Sequence, residues 1–299
     1  MKKFYIAGSG GMLGDAFYNV FSNKFITKCS DKIANENWLT ELDFTNYENY
    51  KLEVENFGSD CLIHLGAMTN LEECEFNPDQ TYLNNTKSVE YAVKISNDMN
   101  IPLVFISTAG IFDGNKDTYD DFDTPNPLSH YGKSKFLSEN YIEKYSNNYL
   151  ICRAGWMMGG GKKKDKKFVN KIISQLLDGK SELNIVSDKN GTPTYTYDFA
   201  EQVLLLLKKN IRGKFNVVCE GLTSRIDVCM EILDYYNLRG KIKINKVNSD
   251  FFIDTYFAKR PISERLINSK LNSFSLNIMR NWKICLQEYL DKEFKDILK

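Results

Sequence analysis

No apolar run in the 299-residue sequence approaches the ~20 residues that a bilayer-spanning helix requires; the longest are stretches such as 101–106 and 203–207. A transmembrane helix is therefore not expected. The amino-terminal MKKFYIAGSGG carries two lysines but reaches glycine too soon to build a signal-peptide core, so a cytoplasmic location is expected. Net charge is also missing: 39 Lys and Arg balance 39 Asp and Glu. Without a global field there is nothing to draw in nucleic acid or an anionic membrane, and any polyanion must be met locally. Histidine is scarce, and His64 and His130 have no partners at metal-ligand spacing, so no metal site is expected. The seven cysteines (29, 61, 74, 152, 219, 229 and 285) are scattered with no C-x-x-C pair, which favours reduced, buried thiols over a disulfide framework.

What is present is an alternation. Short apolar runs at 4–7, 24–29, 61–65, 103–107 and 149–153 are separated by amphipathic segments at 12–21, 47–57, 81–97 and 129–145. That rhythm predicts an α/β fold, a doubly wound parallel sheet of the Rossmann type, with its ligand beyond the carboxyl ends of the strands. Residues 1–153 are expected to form the dinucleotide-binding core. Beyond Arg153 comes GGGKKKDKK, then a helix near 168–177 and a strand near 183–186. Segments 203–209, 214–218, 226–236 and 242–247 read as helix, strand, helix, strand, and a last amphipathic stretch covers 276–297. With no repeat and no low-complexity linker, 154–299 is expected to be a smaller substrate-binding lobe packed on the sheet, some of its segments returning to the core.

Directly after the first apolar run stand Gly8, Gly11 and Gly14. Gly8 suits a tight turn, Gly11 lets the backbone approach a diphosphate, and Gly14 allows close helix–strand packing. The amides of Gly11 and Met12, with Leu13 in the same turn, would meet the diphosphate at a helix amino terminus. Cofactor choice is read at the end of the second strand, where Lys28-Cys29-Ser30-Asp31 offers both a cation and a carboxylate. NAD and NADP both remain open. Asp31 is the candidate for a ribose hydroxyl; Asp43 either reaches the adenine amino group or is a solvated loop carboxylate.

Tyr131 and Lys135 form a Y-x-x-x-K pair at the start of a helical segment. Positions i and i+4 share a helix face, so phenol and ammonium can enter one cleft. A nearby cation is expected to lower the tyrosine pKa toward neutrality. Ser107 and Thr108 end the preceding strand, where a hydroxyl could orient a substrate carbonyl. An isolated Tyr–Lys surface pair is the bland alternative, and position argues against it.

The order GSGGMLG, HLGAMTN (64–70), STAGIFDG (107–114) and YGKSK (131–135) resembles the extended short-chain dehydrogenases that act on nucleotide sugars, most closely the dTDP-4-dehydrorhamnose reductase family. The resemblance continues through Arg153-Ala154-Gly155-Trp156, Asn190-Gly191-Thr192-Pro193-Thr194 and Lys259-Arg260-Pro261, followed by Leu266. It implies reduction of a keto group on a nucleotide-activated deoxysugar by NADH or NADPH. Thr108 takes the hydroxyl position, Tyr131 the acid, and Lys135 the ribose contact that tunes Tyr131. Gly66, Ala67 and Met68 would lie beside the cofactor, and Asn84 near its ribose. A homodimer is left open.

Two departures stand out. Where the family has Asp-Tyr-Val after the catalytic Ser-Thr, this chain has Ala109-Gly110-Ile111, which implies an altered pocket wall beside the sugar. Where the family has Asn-Phe after the glycine-rich loop, this chain has Lys167-Phe168 within a lysine run. That run is either a solvated loop or a source of contacts to the substrate diphosphate. A second dianionic ligand needs its own donors, which makes Lys163, Lys164, Lys167 and Arg260 the candidates, Arg260 for its two-pronged guanidinium. Ala109-Gly110 lacks the Asp-Glu pair of the related dehydratases and the cysteine base of the GDP-fucose synthase branch. The remaining alternatives are an epimerase that retains its cofactor and a non-catalytic, dinucleotide-binding regulatory subunit.

Overall fold

A computed structural model describes residues 1–295. Seven short runs form one parallel sheet: β1 (Lys3–Ala7), β2 (Ile26–Asp31), β3 (Leu39–Glu41), β4 (Cys61–His64), β5 (Leu103–Thr108), β6 (Tyr149–Ala154) and β7 (Gly213–Asn216), in the order β3-β2-β1-β4-β5-β6-β7. Every residue of β4 is buried and all of β5 except its last, as strands covered on both faces must be. The winding reverses between β1 and β4, which opens a crevice at their carboxyl ends.

The helices cover both faces. On one side α1 (Met12–Ser22) packs with α5 (Thr196–Lys208), Phe17 meeting Phe199 with ring centres 6.4 Å apart. On the other, α2 (Tyr47–Phe57), α3 (Ser88–Asp98) and α4 (His130–Tyr145) bury Tyr50, Val89 and Ile142 in a second apolar cluster. Asn46 caps α2 by accepting from the Asn49 amide, and Gly58, in the left-handed region at φ 65°, ends it. The α4 helix is fastened to β6 by the buried two-pronged pair of Arg153 with Glu139, at 2.9 and 2.7 Å. Removing either partner would strand a buried charge at a cost of about 3–5 kcal/mol.

Some expected bounds shift: the helix expected at 203–209 already starts at Thr196. The second strand begins at Ile26 rather than 24, because the amides of Lys24 and Phe25 are still bonded to the Phe21 carbonyl at the end of α1. The short β3 had no sequence signal, since only Leu39 of its three residues is buried. Beyond β6, Trp156–Met158 pairs with Pro193–Tyr195, Glu182–Val186 pairs with Lys243–Val247, and Asn190–Gly191 lies between Thr223–Ser224 and Ser263–Glu264. Helices Phe168–Leu177, Arg225–Tyr235 and Trp282–Glu293 complete this part, while α5 and β7 return to the sheet. Within the amphipathic stretch expected over 276–297 the helix covers Trp282–Glu293; positions 296 and 297 lie outside the described residues. Among the described residues no helix is long and apolar enough to cross a membrane.

Candidate active site

The glycine turn is built by close approach. Gly8 has φ 80°, and a Cβ there would lie 2.2 Å from the Gly66 Cα, so the β1 turn can sit against the chain after β4 only because position 8 is glycine, while a Cβ on Gly66 would run into the Phe44 ring at 2.5 Å. A Cβ on Gly14 would come within 1.8 Å of the Ser9 carbonyl oxygen. Gly11, the residue just before α1, has nothing within 4 Å of that position and so leaves open space at the helix amino terminus, beside the amides of Met12 and Leu13. The Ser30 carbonyl accepts from the amides of Gly8 and Ser9 at 2.8 and 2.9 Å, and Asp31 Oδ2 accepts from the Gly10 amide at 2.7 Å.

Around the outer end of this turn the polar side chains are already engaged. Lys28, on the other face of β2, pairs with Glu53 at 2.6 Å. The cation beside the expected ribose end is instead Lys32, which sequence reasoning passed over. It donates to Asn84 Oδ1 at 2.8 Å, pairs with Asp43 at 3.2 Å and lies over the Phe44 ring. Burial pushes the Asp43 carboxyl up, but the Thr45 hydroxyl and amide and Lys32 outweigh it and hold it below its ordinary value. Asn84 also donates to the Gln80 carbonyl. Its neighbour Asn85 is wholly buried and clamps Met68, accepting from its amide at 2.7 Å and donating to its carbonyl at 3.0 Å. Asn85 sits in a π-helical turn, Leu83–Lys87, and that wider turn rotates it inward.

Thr108 ends β5, and its hydroxyl accepts from the Gly110 amide at 3.1 Å. Ser129 caps α4 by accepting from the Gly132 amide, and a Cβ on Gly132 would lie 2.3 Å from the Gly110 carbonyl oxygen. Helix α4 is thus pressed against the turn after β5, and Tyr131 is brought close enough for the Thr108 hydroxyl to act on its phenol. The expected lowering of the Tyr131 pKa does not occur. Burial pushes the phenol up to about 12, the Thr108 hydroxyl opposes this, and the field of Glu264 adds to it. Lys135 lies one turn along, 4% exposed, with its ammonium 4.0 Å from the centre of the Phe105 ring. Burial drives its pKa down to about 7, against the pull of Glu139, which explains why it does not act as a full charge on the phenol. Among the described residues neither the Lys135 ammonium nor the buried Ser107 hydroxyl has a hydrogen-bond partner. With the open space at Gly11, these unmet groups fit an adenine dinucleotide laid across the switch point.

The cations expected at a second diphosphate divide into two groups. Lys164, its side chain 6% exposed, is tied to Asp15 at 2.6 Å and Glu36 at 3.2 Å, and Lys163 also pairs with Glu36, so both stand on the α1 side. Lys167 and Arg260 reach across the cleft. Lys167 donates to the Thr69 carbonyl at 3.3 Å, and burial, then Lys171, Arg225 and Arg260, lower its pKa. The fork of Arg260 is closed on both oxygens of Glu72, at 2.7 and 2.9 Å, rather than free for phosphate. Sequence reasoning missed Arg225. Its guanidinium lies 3.7 Å from the centre of the Trp156 ring and 4.7 Å from that of Phe168, with no side-chain hydrogen bond or ion pair among the described residues. Burial lowers its pKa to about 10 despite Glu264.

Residues 1–294 match the family described as RmlD substrate binding domain. Similar curated proteins include the spore coat polysaccharide biosynthesis protein SpsK of Bacillus subtilis, 28% identical with 98% of each chain covered. The dTDP-4-dehydrorhamnose reductase of Escherichia coli is 26% identical over 84% of this chain and 86% of its own. A solved dTDP-4-dehydrorhamnose reductase from Clostridium acetobutylicum superposes with a TM-score of 0.88 at 30% identity, covering 97% of this chain and 99% of its own. That of Bacillus anthracis, solved in complex with NADP, also gives 0.88, at 26% identity over 98% and 100%.

Proposed function

Because the chain belongs to the RmlD substrate binding domain family, we propose that it is an NAD(P)H-dependent oxidoreductase that reduces a keto group on a nucleotide-activated deoxysugar. The observation that carries this reading is Tyr131 set beside Thr108, with the unpaired ammonium of Lys135 one helical turn along. The names of the Escherichia coli and Clostridium acetobutylicum relatives support the substrate class, and the NADP complex from Bacillus anthracis supports the cofactor class.

In this reading the substrate carbonyl oxygen lies between the hydroxyls of Thr108 and Tyr131. With its pKa near 12, Tyr131 is fully protonated at neutral pH and is competent as an acid. When bound, the reduced nicotinamide supplies the hydride. Tyr131 passes its proton to the carbonyl oxygen as negative charge develops there, while the Thr108 hydroxyl donates to the same oxygen. The phenolate that remains is met by Lys135, whose own affinity for a proton rises as that charge appears. The test is oxidation of NADH and NADPH against a panel of keto-sugar nucleotides, with Tyr131→Phe as control. Turnover should fall by at least ~10²-fold in the variant with the cofactor Kd nearly unchanged. Wild-type protein that binds dinucleotide but reduces no member of the panel would overturn the reading.

A further inference from the structure

The polypeptide after the lobe's last crossing brings a carboxylate to the reaction centre. Ser263–Glu264 pairs in parallel with Asn190–Gly191, and a Cβ on Gly191 would lie 2.2 Å from the Trp156 ring, so the indole is pressed flat against this strand. Trp156 Nε1 donates to Glu264 Oε2 at 2.8 Å, which fixes the carboxylate's orientation. The other oxygen, Oε1, makes no hydrogen bond among the described residues. It is 3.8 Å from the point where a Gly110 Cβ would stand, and the Thr108 hydroxyl oxygen is 3.5 Å from the same point. Those two oxygens therefore edge one small volume, left clear because position 110 has no side chain. Arg225 is stacked on Trp156, on the same side of the cleft as Glu264.

We propose that Glu264 is a specificity-determining residue whose free oxygen accepts a hydrogen bond from a hydroxyl on the sugar carbon next to the reacting carbonyl. This rests on the reductase reading above. A carboxylate oxygen accepts, and one that edges the same gap as the Thr108 hydroxyl is placed to meet the substrate beside its reacting carbonyl. A substrate with that hydroxyl satisfies the fixed oxygen; one without it leaves a desolvated carboxylate oxygen unpaired, which is the stronger source of discrimination.

The experiment compares a thymidine-diphosphate 4-keto-6-deoxyhexose bearing a 3-hydroxyl with its 3-deoxy counterpart, in wild type, Glu264→Gln and Glu264→Ala. Wild type should prefer the hydroxylated substrate by about 10–100-fold in kcat/KM. Both variants should lose most of that preference, through a fall on the hydroxylated substrate, while the 3-deoxy substrate stays within about threefold. Glutamine retains an acceptor for Trp156, so a purely structural role would leave Glu264→Gln like wild type and lower both substrates equally in Glu264→Ala. Either of those patterns, or an undiminished preference in Glu264→Ala, overturns the assignment alone. Dinucleotide Kd and indole fluorescence monitor the fold throughout. A wild-type enzyme that turns over neither substrate overturns the assignment together with the reductase reading.

Discussion

The ammonium of Lys135 lies 4.0 Å from the centre of the Phe105 ring and donates no hydrogen bond to any described residue. An ammonium so placed has lost its water without gaining a donor's partner, and burial draws its pKa down to about 7. Its folded value is depressed below the unfolded one, so the unfolded chain binds the extra proton between about pH 7 and 10.5. Lys135 therefore lowers stability at neutral pH and below, and stability recovers as pH rises through that window. Glu139 does not depend on it, being held by Arg153. Lys135→Met should raise Tm by roughly 2–6 °C at pH 7, consistent with ~1–2 kcal/mol for removing a poorly met buried charge. It should also abolish turnover and weaken dinucleotide binding. Calorimetry and cofactor titration on the same sample check both halves; a lower Tm with intact binding would contradict them.

The glycine turn makes a sharper contrast. Gly11 faces open space and is not in the left-handed region, so Gly11→Val should fold with a stability near wild type and bind neither NADH nor NADPH, its side chain filling the volume the diphosphate needs. Gly14→Ala meets the Ser9 carbonyl and should lose ~1–3 kcal/mol by overpacking. Urea unfolding and fluorescence titration separate the two effects. If Gly11→Val binds dinucleotide normally, the turn has only a structural role.

These positions were legible in the sequence because each is defined by its neighbours in the chain. A glycine after a strand, a Y-x-x-x-K at the start of a helix and a threonine at a strand end carry their geometry with them. The doubly wound class was legible from the alternation of strands and helices, but β3 was not, since one buried residue in three is no pattern. Asn84 and Asn85 show the limit: adjacent residues on a helix point in different directions, and the π-turn that buries Asn85 has no sequence mark. Glu264 and Arg225 were beyond reach altogether. Trp156 and Glu264 are 108 positions apart and meet only because two short strands pair beside the cleft. The Ala109-Gly110 departure gave notice of a changed pocket wall; which side chain edges the gap is a tertiary fact.

His64 supplies a stability test independent of turnover. It is buried, its Nδ1 bonded to the Tyr50 hydroxyl at 3.0 Å and its Nε2 to the Ser88 hydroxyl at 3.2 Å. Burial, with Lys135 adding, lowers its pKa to about 3. Below the unfolded value of ~6.5 the unfolded chain takes a proton that the native ring refuses, so stability falls as pH drops from there toward 3. Between pH 6 and 5, where most carboxylates are ionised in both states, this one group contributes a slope near ~1.4 kcal/mol per pH unit. Denaturant titrations of wild type and His64→Asn at closely spaced pH values should differ in slope by about that amount. Equal slopes would mean that His64 is protonated in the native state.

The cations of the cleft can be ranked by what already holds them. Lys163 and Lys164 are engaged with Asp15 and Glu36 on the α1 side, so alanine at either should leave the KM for a keto-sugar nucleotide within twofold. Lys167 and Arg260 reach across the cleft, but Arg260 must release Glu72 before it can hold phosphate, and that exchange offsets much of what the new contact contributes. Arg225 has nothing to release. Its guanidinium is stacked on Trp156 and Phe168 with its N–H donors uncommitted among the described residues, and burial there increases the strength of any contact it makes with an anion. A charge-assisted hydrogen bond is worth roughly 1.5–3 kcal/mol, so Arg225→Ala should raise the substrate KM by about tenfold or more. Arg260→Ala should raise it less, and Glu72→Gln, which loosens the competing pair, should lower it. The dinucleotide Kd should be unchanged in all of these variants, because the cofactor's own diphosphate is met at the glycine turn. Steady-state kinetics across the series decides the ranking: a KM that rises for Lys163→Ala or Lys164→Ala and not for Arg225→Ala would place the substrate diphosphate on the opposite wall of the cleft.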